Sequence, residues 1–270
     1  PVLEGKLRHC FAQTEPEAGG DPGGMRTTAV RDGGYYVING MKRFITGAAE
    51  ADFAQVIAAT DREKGSRGGI SAFLVDMDSP GVKLLRAQET MMNDRPWEIA
   101  FEDVRVPAEN MIGGEGDGFK FAQNWISAGR IRHGARGIGV IERCLELGAS
   151  YAKQRETFGR KLAERQSVQW MLVDSYADLH MLRLMVHTAA AKHDAGEDIR
   201  YDAYMCKYLG DTKSFEAADR CMQIYGGMGL PTDLPIERMW RDQRSFIITE
   251  GPTEIMKMAL ARHVVRQYGD

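Results

Sequence analysis

The sequence lacks any apolar run of the roughly 18 residues that a membrane-spanning helix needs. Its longest apolar segment, Phe53–Ala59, is interrupted by Gln55, and the first residues do not form the apolar core of a signal peptide. A net charge of -3 gives no electrostatic reason to expect a nucleic-acid partner. The cysteines are scattered and the histidines show no metal-ligand spacing, so we expect a cytoplasmic protein with free, buried thiols and no metal site. The cysteines are Cys10, Cys144, Cys206 and Cys221.

What the sequence does contain is a β-rich first part. The 270 residues fit one large domain or two smaller ones. A hairpin is predicted around Asp32-Gly33-Gly34, and Asn39-Gly40 predicts a further turn that leads into a strand over residues 42–46. More strands are predicted between turn residues, at Phe53–Ala59, Ile70–Asp76, Val82–Leu85 and Ile99–Val106. Residues 10–114 are therefore expected to form an antiparallel β-barrel or sandwich.

Beyond residue 115 the apolar residues recur every three or four positions, which is typical of helices. The repeat is clear at Ile138, Ile141 and Leu145. Later helices are predicted between glycine or proline breakers, at Tyr201–Tyr225, Leu234–Arg244 and Thr253–Gln267. Residues 115–270 are expected to form an antiparallel α-helical bundle. The predicted fold class is thus α+β, a strand domain followed by a helical domain.

Two glycine-containing loops are candidate ligand sites. The loop Thr14–Asp21 offers hydroxyl and backbone N–H groups that suit a phosphate or the edge of a planar cofactor, or it is a surface turn. The segment Gln223–Gly229 superficially resembles a dinucleotide-binding loop. It follows a helix rather than a strand, however, so the Rossmann interpretation fails. It is either a helix C-cap with left-handed glycines or a close approach of backbone to a ligand.

Two groups of basic residues could bind a phosphate. Arg155, which precedes Thr157-Phe158-Gly159, either opposes the negative end of a helix or binds a pyrophosphate. A second group forms a basic face that is either solvated or a phosphate ligand: Arg130, Arg132, His133 and Arg136. Within it, His133 is expected to be a polar helix residue rather than a catalyst.

An apolar segment that ends in one carboxylate is the candidate for acid–base chemistry. Ile247 and Ile248 precede Glu250, and Gly251-Pro252 and a helix follow it. Glu250 is either a general base or an acid placed near a positive helix N-terminus. As a base its carboxylate would be partly desolvated by the apolar neighbours, which predicts a raised pKa.

Taken in order, six segments resemble the acyl-CoA dehydrogenase family from about Leu7 to the last residue. They are TEPEAGGD, NGMKRFITG, FEDVRVPAENMIG with GEGDGF, R-x-x-FG at Arg155, QIYGGMGL and EGPTEI. The resemblance implies an enzyme of fatty acid metabolism that carries out FAD-dependent α,β-dehydrogenation of an acyl-CoA thioester. It implies that Glu250 removes the pro-R α-proton and that the β-hydrogen leaves as hydride to flavin N5. The backbone N–H of Glu250 and a ribityl hydroxyl of FAD would stabilise the enolate.

The resemblance also assigns ligand contacts to particular residues. Contacts with FAD are implied for Phe11, Thr14, Phe44, Ile45, Thr46, Arg155, Thr157, Phe158, Gln223, Gly226, Gly227 and Thr253. Contacts with the acyl-CoA are implied for Gly20, Arg130, Thr249 and Gly251. The resemblance further implies that the contacts from Arg155, Thr157 and Phe158, and from Gln223, Gly226 and Gly227, reach the FAD of a neighbouring subunit. Such sharing implies a homodimer or homotetramer. An electron-transfer flavoprotein is the implied electron acceptor.

Three features depart from the family pattern. Pro252 stands where Thr or Ser is usual, and Gly20 stands where relatives often carry a CoA-contacting Ser. Family members also begin with a helical domain, of which residues 1–9 are expected to be only the tail end. The alternatives to a dehydrogenase are a flavin acyl-CoA oxidase, which lets oxygen reach the reduced flavin, and a non-catalytic fragment or subunit that retains the FAD cradle.

Overall fold

The chain folds into two compact units in the computed structural model, which describes residues 1–269 apart from the side chain at position 124. Residues 1–124 form the first unit, which contains the large sheet. The second unit begins at Trp125 and is mainly helical. Among the described helices, none combines the length and the hydropathy needed to cross a membrane.

The strands of the first unit form one eight-stranded sheet. They are β1 (His9–Ala12), β2 (Thr28–Asp32), β3 (Tyr35–Ile45), β4 (Phe53–Ala59), β5 (Ile70–Asp76), β6 (Val82–Ala87), β7 (Trp97–Pro107) and β8 (Met111–Ile112). The order is β6-β7-β3-β2-β4-β5-β8, and β1 joins the sheet through β4. Within the described residues, β6 and β8 at the two ends of this path do not pair, so the sheet is sandwich-like and not a closed barrel. The pairs β1–β4 and β2–β4 are parallel, and the others are antiparallel.

The predicted hairpin is confirmed, but the predicted turn at Asn39-Gly40 is wrong. Strands β2 and β3 pair from Asp32 and Tyr35 outward, whereas β3 runs through Asn39-Gly40 as one strand. The pairing of β3 with β7 shifts register next to Gly40, which marks a β-bulge. Gly40 has φ +150°, and a Cβ atom there would stand 2.5 Å from Thr27 Oγ1. The glycine therefore lets Thr27 pass close to the strand instead of reversing the chain.

Strands β4 and β5 are buried on both faces, and their alternate residues supply two apolar cores. Val56 and Phe73 belong to the larger core, together with residues of β3 and β7. Ile57 and Ile70 belong to the smaller core, against which the half-buried Phe11 packs. Burial of each such side chain stabilises the fold by about 1.5–3 kcal/mol, so the central strands form a rigid support for the loops around them.

A buried ion pair holds the loop that follows β1 against strand β3. Lys42 Nζ lies 2.8 Å from Glu15 Oε1, and both side chains are almost completely buried. Lys42 also donates to the carbonyl oxygen of Gln13 at 3.0 Å. Glu15 accepts hydrogen bonds from the backbone N–H groups of Arg26 and Thr27. The loop that begins at Thr14 is therefore held in a fixed position beside β3.

The second unit is a bundle built from five α-helices of the described chain, the first of which begins before the unit boundary, at Gly118. They are α1 (Gly118–Gln154), α2 (Gln166–Asp194), α3 (Arg200–Tyr225), α4 (Ile236–Phe246) and α5 (Thr253–Tyr268). A small hairpin of β9 (Glu156–Thr157) and β10 (Arg160–Lys161) separates α1 from α2. The predicted bounds of α3 and α5 hold to within one residue, whereas the helix predicted from Leu234 begins at Ile236.

Helices α1 and α3 cross at glycine positions. A Cβ atom on Gly137 would stand 2.6 Å from the carbonyl oxygen of Gly210, and one on Gly210 would stand 2.7 Å from the Cα atom of Gly134. Larger side chains would force the helices apart, because close-packed backbone cannot yield as a flexible side chain can. The close crossing brings the neighbours of these glycines, His133 on α1 and Asp211 on α3, into contact.

Candidate active site

The Glu250 carboxylate is presented by a left-handed turn between α4 and α5. Helix α4 ends at Phe246, and Glu250 and Gly251 take φ values of +54° and +99°. A hydrogen bond from the N–H of Thr253 to the carbonyl oxygen of Ile247, at 3.1 Å, closes the turn. Positive φ is uncommon for a residue other than glycine and indicates a backbone held by its surroundings. The turn therefore keeps Glu250 outside the helical hydrogen-bond pattern.

Two side chains of α1 approach this carboxylate. His133 Nε2 lies 3.1 Å from Glu250 Oε2, and Arg132 Nη2 lies 3.5 Å from Glu250 Oε1. The imidazole is fully buried, whereas the Glu250 side chain keeps 35% of its accessible surface. The carboxylate is thus anchored from within the helical unit and remains accessible to a reactant.

His133, Asp211 and Lys207 form a buried cluster that supports the Glu250 turn. His133 Nδ1 lies 2.9 Å from Asp211 Oδ2, which lies 3.1 Å from Lys207 Nζ, and all three side chains are fully buried. Lys207 donates to the carbonyl oxygen of Phe246 at 2.7 Å, and the Phe246 ring packs edge-on against the imidazole. The buried cluster therefore fixes both the imidazole that contacts Glu250 and the backbone that leads into its turn.

The pKa of Glu250 lies below its ordinary value, so the raised pKa predicted from its apolar neighbours is wrong. Burial acts to raise it, but the contact and charge of His133 and the charges of Arg132 and Arg136 outweigh burial. Burial acts to lower the pKa of His133, yet Asp211 and Glu250 together raise it. The imidazole and the carboxylate stabilise each other's charged forms, and Glu250 is ionised at neutral pH.

Arg130 is buried and does not belong to a solvated face. Its guanidinium lies over the Tyr204 ring, 4.7 Å from the centroid, and a Cβ atom on Gly251 would stand 3.4 Å from its Nη2. Within the described residues, its Nε and Nη1 atoms have no hydrogen-bond partner. Buried donors are nearly always satisfied, so these two are available to an oxygen of a bound molecule. Thr249, another predicted substrate contact, is exposed one residue before Glu250.

Most of the FAD contacts predicted in the helical unit gather at one end of the bundle. Tyr151 near the end of α1 stacks on Tyr225 at the end of α3, with ring centroids 4.1 Å apart, so the two helices end side by side. The residues there are the exposed Arg155, Gln223, Gly226 and Gly227, with Thr157 and Phe158 on the adjoining hairpin. Phe158 is 97% exposed, at φ +50°. Thr253 lies apart from this group, because it is buried in the Glu250 turn.

The contacts predicted in the first unit lie mainly on two neighbouring segments. Phe44 and Thr46 are exposed at the end of β3, and Phe44 has φ +60°. Ile45 between them is buried in the larger core, which leaves only its backbone for a ligand. The N–H of Arg43 donates to the carbonyl oxygen of Thr14 at 2.8 Å, so the loop lies beside this strand end.

Gly20 and Phe11 complete the predicted contacts of the first unit. Gly20 is exposed, with nothing within 4 Å of a Cβ atom built on it, and Phe11 is half-buried on β1. A pocket in this unit is lined by residues 22–26 and by residues between 59 and 70. It includes none of the predicted site residues.

Asp211, Lys207 and the role of His133 are the functional features that sequence reasoning misses. Lys207 and Asp211 lie four residues apart, on a helix face that otherwise carries small buried residues such as Ala203 and Ser214. A charged pair within a buried stripe needs further partners, and the basic face of α1, with its histidine, can supply them. That combination is the signal by which the sequence could have located the buried cluster.

The comparisons with known proteins agree with this fold. The family description "Acyl-CoA dehydrogenase, middle domain" matches residues 10–104, and "Acyl-CoA dehydrogenase, C-terminal domain" matches residues 116–265. The caffeyl-CoA reductase-Etf complex subunit CarC of Acetobacterium woodii is 38% identical over 99% of this chain and 71% of its own length. The structure of butyryl-CoA dehydrogenase from Megasphaera elsdenii aligns with a TM-score of 0.93 at 35% identity, over 98% of this chain and 70% of that protein. The structure of PigA with FAD and proline aligns with a TM-score of 0.94 at 32% identity, over 98% of this chain and 70% of that protein.

These matches cover nearly the whole chain, which spans about 70% of each of these relatives. Both domain descriptions fall in the same order as the two structural units, and the shared identity extends across both. The chain therefore belongs to the acyl-CoA dehydrogenase family, whose members are FAD-dependent oxidoreductases.

Proposed function

We propose that the protein oxidises an acyl-CoA thioester between its α and β carbons, with Glu250 as the base that removes the α-proton. The observation that carries this proposal is the placement of the Glu250 carboxylate. A left-handed turn fixes its backbone, His133 and Arg132 anchor its side chain, and solvent reaches it. A general base must be ionised and within reach of the substrate. The lowered pKa of Glu250 meets the first condition, and its exposed side meets the second.

Donors beside Glu250 suit the charge that develops on the substrate. The α-hydrogen of a thioester is weakly acidic, so its removal needs hydrogen bonds to the carbonyl oxygen. The N–H of Glu250 makes no hydrogen bond within the described residues, because the turn takes it out of the helical pattern. We assign the thioester oxygen to this N–H and another oxygen of the acyl-CoA to the free donors of Arg130. Gly20, Thr249 and Gly251 remain proposed substrate contacts.

The exposed groups at the bundle end and on β3 match the chemistry of FAD. Arg155 offers a guanidinium to a pyrophosphate, and the exposed backbone of Gly226-Gly227 offers a close approach. Phe44 and Phe158 offer aromatic faces, and a phenyl ring as exposed as Phe158 needs a ligand or a neighbouring subunit to cover it. FAD, when bound, accepts the β-hydrogen with its electron pair. Glu250 then holds the α-proton, and a double bond joins the two carbons.

The same residues serve the reverse reaction, and one relative favours it. CarC is named as part of a caffeyl-CoA reductase-Etf complex. In the reductive direction Glu250 would return its proton to the α-carbon of an enoyl-CoA. The named complex supports an electron-transfer flavoprotein as redox partner, and therefore a dehydrogenase or reductase over an oxidase that uses oxygen. The completeness of the Glu250 site, with its buried cluster, disfavours a non-catalytic fragment.

We also propose that the protein acts in fatty acid metabolism as a homodimer or homotetramer in the cytoplasm. The uncovered Phe158 and the exposed Arg155 beside it support a shared FAD contact between subunits. The four cysteines are free thiols buried in the two units, which suits a reducing compartment.

The test of the base is Glu250→Gln in the FAD-loaded protein, with Glu254→Gln as the matched control. Glutamine keeps the shape of the side chain and removes its basicity, so flavin content should be retained while flavin reduction by acyl-CoA slows by at least about 100-fold. Glu254 is exposed on α5, so Glu254→Gln is the same chemical change at a position outside the proposed site. Stopped-flow absorbance of the flavin measures both variants. A Glu250→Gln protein that reduces flavin at the parent rate would refute the assignment.

A further inference from the structure

Both ring nitrogens of His133 face a carboxylate. Nδ1 lies 2.9 Å from Asp211 Oδ2, and Nε2 lies 3.1 Å from Glu250 Oε2. A neutral imidazole carries one N–H group and a charged imidazolium carries two. Only the charged ring can therefore donate to both carboxylates. Arg136 Nη2 also lies 2.8 Å from Nδ1, so a ring that loses its Nδ1 proton can accept from this guanidinium and keep its Nε2 proton towards Glu250.

The charged groups around this ring come from several elements of the helical unit. They are Arg130, Arg132 and Arg136 on α1, Lys207 and Asp211 on α3, Asp242 on α4, which acts through Arg136, and Glu250 on the following turn. Asp211 has two permanent cationic partners, with Lys207 Nζ at 3.1 Å and Arg136 Nη2 at 3.6 Å. The charge of Asp211 is thus balanced with or without a proton on His133. The variable proton belongs to the His133–Glu250 pair.

We propose that His133 is a positioning residue for Glu250. Asp211 holds the imidazole at Nδ1, and the imidazole orients the Glu250 carboxylate through Nε2. The charge on the imidazole sets the strength of the carboxylate as a base. The inference rests on the proposed role of Glu250. A charged His133 holds the carboxylate in place and ionised, and weakens it as a base. A neutral His133 leaves a stronger base, because the positive charge beside the carboxylate is gone.

The geometry favours this coupling over a purely structural role for the histidine. The ring is fully buried, so water is excluded from the imidazole side of the contact, whereas solvent reaches the other side of the carboxylate. The Phe246 ring packs against its edge, and the buried cluster prevents the imidazole from turning away. Because the coupling is a linkage, each group must shift the ionisation of the other by the same amount. An opposite charge at this distance typically shifts a midpoint by about 1–3 pH units.

The first test is the titration of the His133 ring by nuclear magnetic resonance, in the parent and in Glu250→Gln. His133 is the fully buried histidine of the described residues, and the others are exposed or half-buried, so its ring N–H signals are the ones protected from exchange with water. The midpoint of His133 should fall by about 1 pH unit or more in Glu250→Gln. Glu254→Gln should leave it unchanged. An unchanged midpoint in Glu250→Gln would overturn the coupling.

The second test is the pH dependence of flavin reduction in the FAD-loaded protein, in the parent and in His133→Gln. The parent should show two ionisations that belong to the pair, and His133→Gln should show one, with its acid limb moved to higher pH. The maximal rate should fall about 10–100-fold because the carboxylate loses its orientation. A pH–rate profile of His133→Gln with its acid limb at the parent position would overturn the proposal. Loss of a histidine with only a structural role would lower the stability of the fold but would not move the acid limb. If His133→Gln does not fold, the titration in Glu250→Gln decides alone.

The outcomes separate this inference from the proposed function. A Glu250→Gln protein that keeps the parent rate would refute Glu250 as the base, and the positioning role would fall with it. A Glu250→Gln protein that is inactive, yet leaves the His133 midpoint unchanged, would refute the coupling alone.

Discussion

Replacement of Lys42 by methionine should destabilise the first unit far more than the same replacement at an exposed ion pair. The Lys42 and Glu15 side chains are 0% and 1% exposed, with Nζ and Oε1 2.8 Å apart. Removal of one partner leaves the other as an uncompensated buried charge, which typically costs about 3–5 kcal/mol. Methionine retains the apolar stem of lysine, so the loss of packing is small. The donor to the Gln13 carbonyl is also lost.

Lys83→Met is the matched control on the same sheet. Lys83 pairs with Glu102, as Lys42 pairs with Glu15, but these two side chains are 54% and 59% exposed. An exposed pair contributes about 0–1 kcal/mol, because water already stabilises both charges. The two variants should therefore differ by roughly 2–5 kcal/mol in the free energy of unfolding, although the chemical change is identical.

Hydrogen exchange read by mass spectrometry is the suitable assay, because it reports the opening of each segment separately in a chain with two units. In Lys42→Met, peptides from β3 and from the loop after β1 should lose protection by about 100-fold or more. Peptides from the helices should keep theirs, and Lys83→Met should resemble the parent throughout. Equal protection of β3 in the two variants would refute the view that the buried pair clamps the loop.

Gly137→Ala should destabilise the helical unit by about 2 kcal/mol or more, because its Cβ atom would stand 2.6 Å from a backbone carbonyl of α3. Gly139→Ala, on the same helix with open space around it, should stabilise by up to about 1 kcal/mol, and thermal unfolding measures both. Burial acts to raise the pKa of Glu15, but Lys42, Thr27 and the backbone N–H of Arg26 hold it below its usual value. The ionised Glu15 therefore stabilises the first unit at any pH above the ordinary carboxyl pKa. This stabilisation should be lost as the pH falls through the lowered pKa of Glu15, in the parent but not in Lys42→Met. Arg155→Ala should lower both FAD content and oligomer stability, and a normal ratio of FAD to protein would contradict its assignment.

Much of the secondary structure is predictable because its signals are local. Strands β4 and β5 are located to the residue, since turn residues bound their apolar runs. The pair Asn39-Gly40 misleads because it suits both a hairpin turn and a bulge, and the choice is made by Thr27, which approaches from elsewhere in the sequence. The parallel pairing of β1 with β4 leaves no local pattern at all, so the sequence alone could not reveal it.

The candidate base is predictable, but its electrostatics are not. Glu250 stands out because it is the one carboxylate at the end of an apolar segment and is followed by Gly251-Pro252 and a helix. Its neighbours in sequence, Ile247 and Ile248, suggest a desolvated carboxylate with a raised pKa. The groups that decide the pKa, His133 above all, lie on a helix far away in the sequence and are brought near by the fold. A prediction of charge from flanking residues fails wherever the fold supplies the nearest charges.

The glycine crossing of α1 and α3 explains how a histidine can govern Glu250. Close backbone approach excludes water from the buried cluster, and a low dielectric strengthens both the attraction and the penalty for losing it. The cluster also holds the carbonyl oxygen of Phe246, so one set of contacts fixes the backbone of the turn and the charge of its carboxylate. A substitution that loosens the crossing should therefore change orientation and base strength together. A substitution of Arg132, which is exposed and lies 3.5 Å from the carboxylate, should change mainly base strength.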